Sequence, residues 1–215
     1  MPDQSEPEAP EAQRNPDVPV QRTNSSRQPD PWIARKPALN IYLCGMIGSG
    51  KTAIGERLAA RLGRPFYDLD QKMDLELGYS FHRLVREQGW LVFRELEYDL
   101  CRRFAKMQAV VVALGGGTVR YAWNTDVLRG TGITILLESN LAVLAERVRR
   151  ADRPRVHQEV SLEGDLDRVW TTAGHLYRQA ADMIYRTDAG KSIDEEVADL
   201  CRICDMAGPA KMSQP

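Results

Sequence analysis

The octapeptide Gly45-Met46-Ile47-Gly48-Ser49-Gly50-Lys51-Thr52 sets glycines, an ammonium and a hydroxyl at the spacing G-x-x-x-x-G-K-[ST]. Glycines let successive backbone N–H groups fold around an anion without β-carbon clashes. The apolar run before it, 39–44, reads as a buried strand. After it, Thr52 to Leu62 carries Ile54, Leu58 and Leu62 at helical spacing and stops at Gly63. The motif therefore sits on a strand-to-helix turn, where unpaired helix N–H groups and the positive dipole end attract phosphate. Lys51 is expected to reach the outer phosphates of a nucleotide, and the Thr52 hydroxyl to ligate Mg²⁺.

Two further groups carry chemistry. Pro65 to Asp70 reads as a second strand ending in Asp68 and Asp70. Residues i and i+2 share a strand face, so both carboxylates are expected to lean into one cleft. A nucleotide-bound Mg²⁺ keeps several waters and needs few protein carboxylates. One acid can hold those waters while the other accepts from a hydroxyl-bearing substrate. Gly115-Gly116-Gly117 closes the continuous apolar strand Val110 to Leu114. Three successive glycines cost chain entropy, and they permit close approach of backbone to a ligand.

The elements that position these groups alternate. Ser80 can cap a helix through Gln88, and Trp90 to Lys106 carries a second apolar helical stripe. Ile133 to Leu137 reads as a strand, followed by a helix from about Leu141 to Arg150 and a polar stretch, Ala151 to Gly164. A long helix, a short strand at Met183 to Thr187 and a final helix complete the order. Strands alternating with helices imply an α/β fold, a mostly parallel sheet covered on both faces. Ligands collect at the carboxyl ends of such strands, and three strands here end in the groups just named.

Lys plus Arg is 29 against Asp plus Glu 30, which argues against bulk nucleic-acid binding and against an anionic membrane as partner. No apolar run approaches a membrane span. Eight of the twelve prolines fall within residues 1–37, a segment too polar to offset its chain entropy by burial, so a disordered tail is expected there. It has no apolar signal core, and Asp3, Glu6, Glu8, Glu11 and Asp17 disfavour a transit peptide. A cytoplasmic location is the default, with a second disordered tail at 209–215 and the globular domain at 38–208. Cys201 and Cys204 have C-x-x-C spacing. They fall on the apolar stripe of the last helix with no partner motif, and read as small apolar residues on a buried face.

Taken together the motifs resemble the shikimate kinase family. The phosphate loop, Phe66-Tyr67-Asp68-Leu69-Asp70, Phe93-Arg94-Glu95-Leu96-Glu97, Ala113-Leu114-Gly115-Gly116-Gly117, Arg153-Pro154 and Leu176-Tyr177 with Ala181-Asp182 occur in the family's order over about Leu39 to Met206. The resemblance implies a P-loop three-layer fold with a five-stranded parallel sheet, helices on both faces and a mobile lid. It implies ATP and Mg²⁺ as cofactors and a small-molecule substrate, shikimate, phosphorylated on its 3-hydroxyl in aromatic amino-acid biosynthesis. A monomer is expected. Gly48, Ser49, Gly50, Lys51, Thr52 and Ala53 would line the nucleotide phosphates, with Thr52 and Asp68 at the magnesium. Asp70 would contact the substrate hydroxyls and accept the proton of the attacking one. Arg94 would grip the carboxylate, beside Gly115, Gly116 and Gly117. Arg153 would be the lid arginine, and Arg147, with Arg150 as rival, would lie against the adenine.

One position departs from the family pattern: a second carboxylate-binding arginine is expected four residues before Tyr177, where this chain has Ala173. A lost charge-assisted hydrogen bond of about 1.5–3 kcal/mol weakens a carboxylate substrate roughly ten- to over a hundredfold. Arg168 and Arg178 are candidates to reach in, against the plainer reading of two exposed helix arginines. Two alternatives to shikimate phosphorylation stay open at this point: a kinase for another hydroxylated small molecule, and a nucleotide-binding regulator that transfers nothing.

Overall fold

Every residue of β1 (Asn40–Cys44) is buried, so its side chains must be covered on both faces. Ile41 and Leu43 point to one side, where α1 (Lys51–Leu62) brings Ile54 and Leu58 and α7 (Ile193–Met206) brings Val197 and Leu200. Tyr42 and Cys44 point to the other. There α3 (Phe81–Ala105) contributes Phe93, Leu100 and Phe104, and α6 (Leu162–Ala180) contributes Leu166 and Tyr177. Each large apolar side chain buried in this way contributes about 1.5–3 kcal/mol. The computed structural model describes residues 39–150 and 161–206. Arg153 with the rest of the expected lid, residues 1–38, which include the expected N-terminal tail, and the C-terminal residues 207–215 lie outside the described residues.

The sheet is fully parallel and runs β2 (Phe66–Asp68), β3 (Val111–Ala113), β1, β4 (Gly132–Glu138), β5 (Met183–Arg186). This is the five-stranded three-layer α/β architecture expected from the sequence. Its register decides where chemistry can happen. Ala113 is opposite Leu43 on one side and opposite Asp68 on the other. The three chemically marked strands are thus immediate neighbours that end level with one another.

The structure corrects the second strand. It stops at Asp68, whose side chain accepts from Asp70 N at 3.1 Å and Gln71 N at 3.2 Å and so caps α2 (Leu69–Leu77). Asp70 therefore lies in the first turn of a helix and does not share a strand face with Asp68. An aspartate that can satisfy helix N–H groups favours the cap over one more ladder pair. After the glycine triplet come a 3₁₀ turn, Thr118–Arg120, and α4 (Ala122–Leu128), neither read from the sequence. The two helices read at 80–106 are continuous in α3 except for a kink at Gly89. Helix α5 (Leu141–Arg150) matches its expected bounds. Cys201 and Cys204 are only partly buried, packed against the α1–α7 side of the core.

Candidate active site

The phosphate loop leaves the carboxyl end of β1 and enters α1 through Gly50, whose φ of 95° makes it a left-handed N-cap with no side-chain cap. The first turn of α1 also has no acid. Its N–H groups are left to an outside anion, which a serine or aspartate cap would have answered. A β-carbon on Gly45 would stand 2.6 Å from Leu137 O, so only glycine lets the loop pass β4 this closely. Lys51 Nζ donates to Gly45 O (2.8 Å) and Met46 O (3.0 Å), folding the ammonium back over the loop. Ser49 is fully buried, and its Oγ has no partner among the described residues. Ala53, the last residue of the expected nucleotide set, is exposed on α1.

Thr52 Oγ1 donates to Asp68 Oδ2 at 2.7 Å. A hydroxyl and a carboxylate oxygen thus meet beside the loop, even though Asp68 holds a cap as well. No cluster of three or more His, Cys, Asp or Glu side chains suited to a metal occurs among the described residues. The donor set, one hydroxyl and one carboxylate, suits a cation that brings most of its own oxygen ligands.

One turn further, Asp70 is only partly exposed, with its Oδ1 2.8 Å from where a β-carbon on Gly115 would be. Desolvation, followed by the nearby Asp68, raises its carboxyl from the ordinary 3.8 to about 7, against the opposing pull of Lys51. A carboxylate poised near neutrality can take a proton from an alcohol at physiological pH. None of the three glycines after β3 has positive φ. What Gly115 supplies is room, for Asp70, Thr118 and Glu97.

Arg94 projects from α3 toward Gly117, with Nη2 3.2 Å from that residue's missing β-carbon. Rings of Tyr121, Phe93 and Trp90 lie 4.4, 4.7 and 5.2 Å from its guanidinium carbon. Its Nη1 donates to Glu97 Oε2 at 2.7 Å. Glu97 is 1% exposed and accepts also from Thr118 Oγ1 (2.7 Å) and Asn124 Nδ2 (3.0 Å). Sequence reasoning gave Glu97, Thr118 and Asn124 no role. The signal within reach was the i, i+3 spacing of Arg94 and Glu97 on a helix. Tyr177 shows in the sequence only as part of the Leu176-Tyr177 motif. Its hydroxyl donates to Gly116 O at 2.5 Å, tying α6 to the glycine triplet.

Ala173 is buried on α6 and brings no charge to this cleft. Neither proposed substitute reaches in: Arg168 pairs with Asp165, and Arg178 pairs with Glu138 while lying over Trp170. On the nucleotide side Arg147 donates to Thr187 Oγ1 (3.1 Å) and Thr187 O (2.6 Å), and Thr187 Oγ1 in turn lies 3.5 Å from Ser49 O. Arg150 pairs instead with Glu146 on the exposed face of α5.

A family model described as shikimate kinase matches residues 47–203. A curated shikimate kinase of Nitratidesulfovibrio vulgaris is 38% identical over 154 residues, covering 69% of this chain and 87% of that one. One of Chlorobium luteolum is 36% identical over 170 residues, covering 75% and 83%. The solved structure of a shikimate kinase from Acinetobacter baumannii in complex with shikimate superposes with a TM-score of 0.73 at 29% identity, over 79% of this chain and 95% of that one.

Proposed function

The chain belongs to the shikimate kinase family, and from that premise we propose how its residues divide the transfer of a phosphoryl group from ATP to the 3-hydroxyl of shikimate. Bound ATP supplies the phosphoryl group, and magnesium the charge that offsets its oxygens. The amides of Gly48 to Thr52 and Ala53 and the Lys51 ammonium hold the phosphates, and Thr52 and Asp68 hold the metal. Arg147 lies against the base, an assignment supported by its tether to Thr187 and through it to the phosphate loop. Arg153, outside the described residues, is assigned to the lid, where it completes the site as water is excluded.

Asp70 takes the proton of the attacking hydroxyl, and Arg94 and the backbone of Gly115 to Gly117 align the acceptor. Phosphoryl transfer asks a protein mainly for alignment and for dispersal of charge. The observation that carries this assignment is the raised, half-buried Asp70 carboxyl beside Gly115, at the level strand ends that also bear the phosphate loop. Residues 38–208 form the kinase domain in this reading, with the segments on either side as tails. The reading takes the protein to be a cytoplasmic monomer. No described helix is long and apolar enough to cross a membrane.

The experiment is a coupled ADP-release assay with ATP and MgCl₂, with and without shikimate. The expected result is release that depends on shikimate and stops when EDTA removes the metal. Equal release with and without shikimate overturns the acceptor assignment.

A further inference from the structure

Arg120 ends the 3₁₀ turn that follows the glycine triplet. Thr118 and Val119 of that turn are buried and Arg120 is exposed. Its amide donates to Gly117 O at 3.1 Å, closing the turn. Its Cδ lies 3.8 Å from the point where a Gly117 β-carbon would be, the same point that Arg94 Nη2 approaches at 3.2 Å. The two guanidinium side chains therefore flank one glycine of the acceptor cleft. Both act electrostatically on the Tyr177 hydroxyl, Arg120 more strongly than Arg94. That hydroxyl is bound to Gly116 O.

The charges there do not cancel. Glu97 answers Arg94, whereas the Arg120 guanidinium has no ion pair or side-chain hydrogen bond among the described residues. Arg94 Nη2 likewise has no acceptor among them. One buried carboxylate fixes both arginines: Glu97 binds Arg94 directly, and through Thr118 Oγ1 it holds the turn that presents Arg120. Asn124 Nδ2 braces the same turn at Thr118 O (3.0 Å) and Glu97 Oε2. Two guanidinium side chains that meet at one glycine, tied to a shared buried base, form a receptor for a small planar anion.

We infer that Arg120 is the second cation for the acceptor's carboxylate, acting with Arg94 across Gly117 in the place that Ala173 leaves uncharged. The inference rests on the shikimate reading and deepens it. Arg120 is a binding residue for one end of the acceptor, remote from the transferring phosphoryl group.

The test compares shikimate with its carboxamide, which keeps the ring, the hydroxyls and the size but not the charge. In R120L the KM for shikimate is expected to rise about ten- to a hundredfold. The affinity for the carboxamide and the KM for ATP should each change less than about threefold. R120K, which keeps the charge but loses the planar fork, should fall between wild type and R120L. Melting curves of both variants establish that the exposed substitution leaves the fold intact. If R120L discriminates the acid from the amide as well as wild type does, the inference is overturned while the kinase reading stands. If the unaltered protein shows no shikimate-dependent ADP release, the kinase reading fails and takes the inference with it.

Discussion

Asp70 Oδ1 lies 2.8 Å from the position a β-carbon on Gly115 would occupy, so the carboxylate assigned as base is held against backbone. The same point is 2.9 Å from Thr118 Oγ1 and 3.3 Å from Glu97 Oε1. Gly115→Ala must displace at least two of these groups. Because small misplacements of catalytic groups are costly, kcat/KM for shikimate is expected to drop about a hundredfold. The KM for ATP should move little, since the phosphate loop is on the neighbouring strand end. Steady-state kinetics in both substrates checks this; a variant with wild-type kcat/KM for shikimate counts against Asp70 as base.

Desolvation, then the neighbouring Asp68, pushes the Asp70 carboxyl up to about 7, and as the proposed base it works only when ionised. The value of kcat/KM for shikimate should therefore climb about tenfold per pH unit below 7 and level off above it. Asp70→Asn should abolish that limb along with most of the rate. Stability runs the other way. The folded state holds this proton more tightly than the unfolded chain, so Asp70 opposes folding increasingly from about pH 4 to pH 7 and constantly above. Asp70→Asn is then expected to stabilise the protein at pH 8 by on the order of 2–4 kcal/mol and hardly at all at pH 4. Melting temperatures at the two pH values read this directly.

The sheet was legible because β3 is an uninterrupted apolar run and β1 and β4 are mostly apolar, broken only by Asn40, Thr134 and Glu138, and the phosphate loop because its glycines carry a fixed spacing between a strand and a helix. Chemistry alone asks for one acid beside the Thr52 hydroxyl, and the family resemblance is what points to Asp68. What escaped was set by side-chain hydrogen bonding to backbone and by contacts across the fold. Asp68 ends its strand by capping α2, a choice invisible to apolar periodicity. Glu97 looks like any charged helix residue until Thr118 and Asn124, more than twenty positions away, close over it. Arg120 shows its placement only once the 3₁₀ turn is seen to fold over Gly117.

Asp68 caps α2 and is proposed to hold the metal, two roles that substitution can separate. Asn caps helices about as well as Asp, so Asp68→Asn should keep the melting temperature within about 1 °C while removing the negative charge beside Thr52. The concentration of magnesium needed for half-maximal rate should rise at least about tenfold. Asp68→Ala should show the same metal defect and lose about 1 kcal/mol as well, because the amides of Asp70 and Gln71 lose their acceptor. Equal melting temperatures for the two variants would remove the capping role.

Glu97 binds three donors in a nearly dry site. Removing one partner of a buried ion pair costs about 3–5 kcal/mol, because the other charge is left uncompensated. Glu97→Ala is expected to lose stability on that scale by denaturant unfolding. Glu97→Gln keeps the shape and an acceptor oxygen, so it should lose less. In Glu97→Gln the KM for shikimate should rise by about an order of magnitude, since Arg94 keeps its ring contacts but loses the charge that orients its fork.

Gly89 breaks α3 with φ 85° and ψ 174°, a region almost closed to residues with a β-carbon. No atom lies within 4 Å of where that carbon would be, so steric crowding is not the reason for glycine; the backbone angle is. The half of α3 beyond the kink carries Trp90, Phe93, Arg94 and Glu97, so the angle aims the side chains proposed to hold the acceptor. Gly89→Ala should cost about 1–3 kcal/mol, a fall in melting temperature of about 2–4 °C per kcal/mol for a domain of this size. It should raise the KM for shikimate as Arg94 shifts. D-alanine at position 89, introduced by semisynthesis, tolerates positive φ and should restore both stability and KM. If L-alanine and D-alanine behave alike, the backbone angle is not what position 89 supplies.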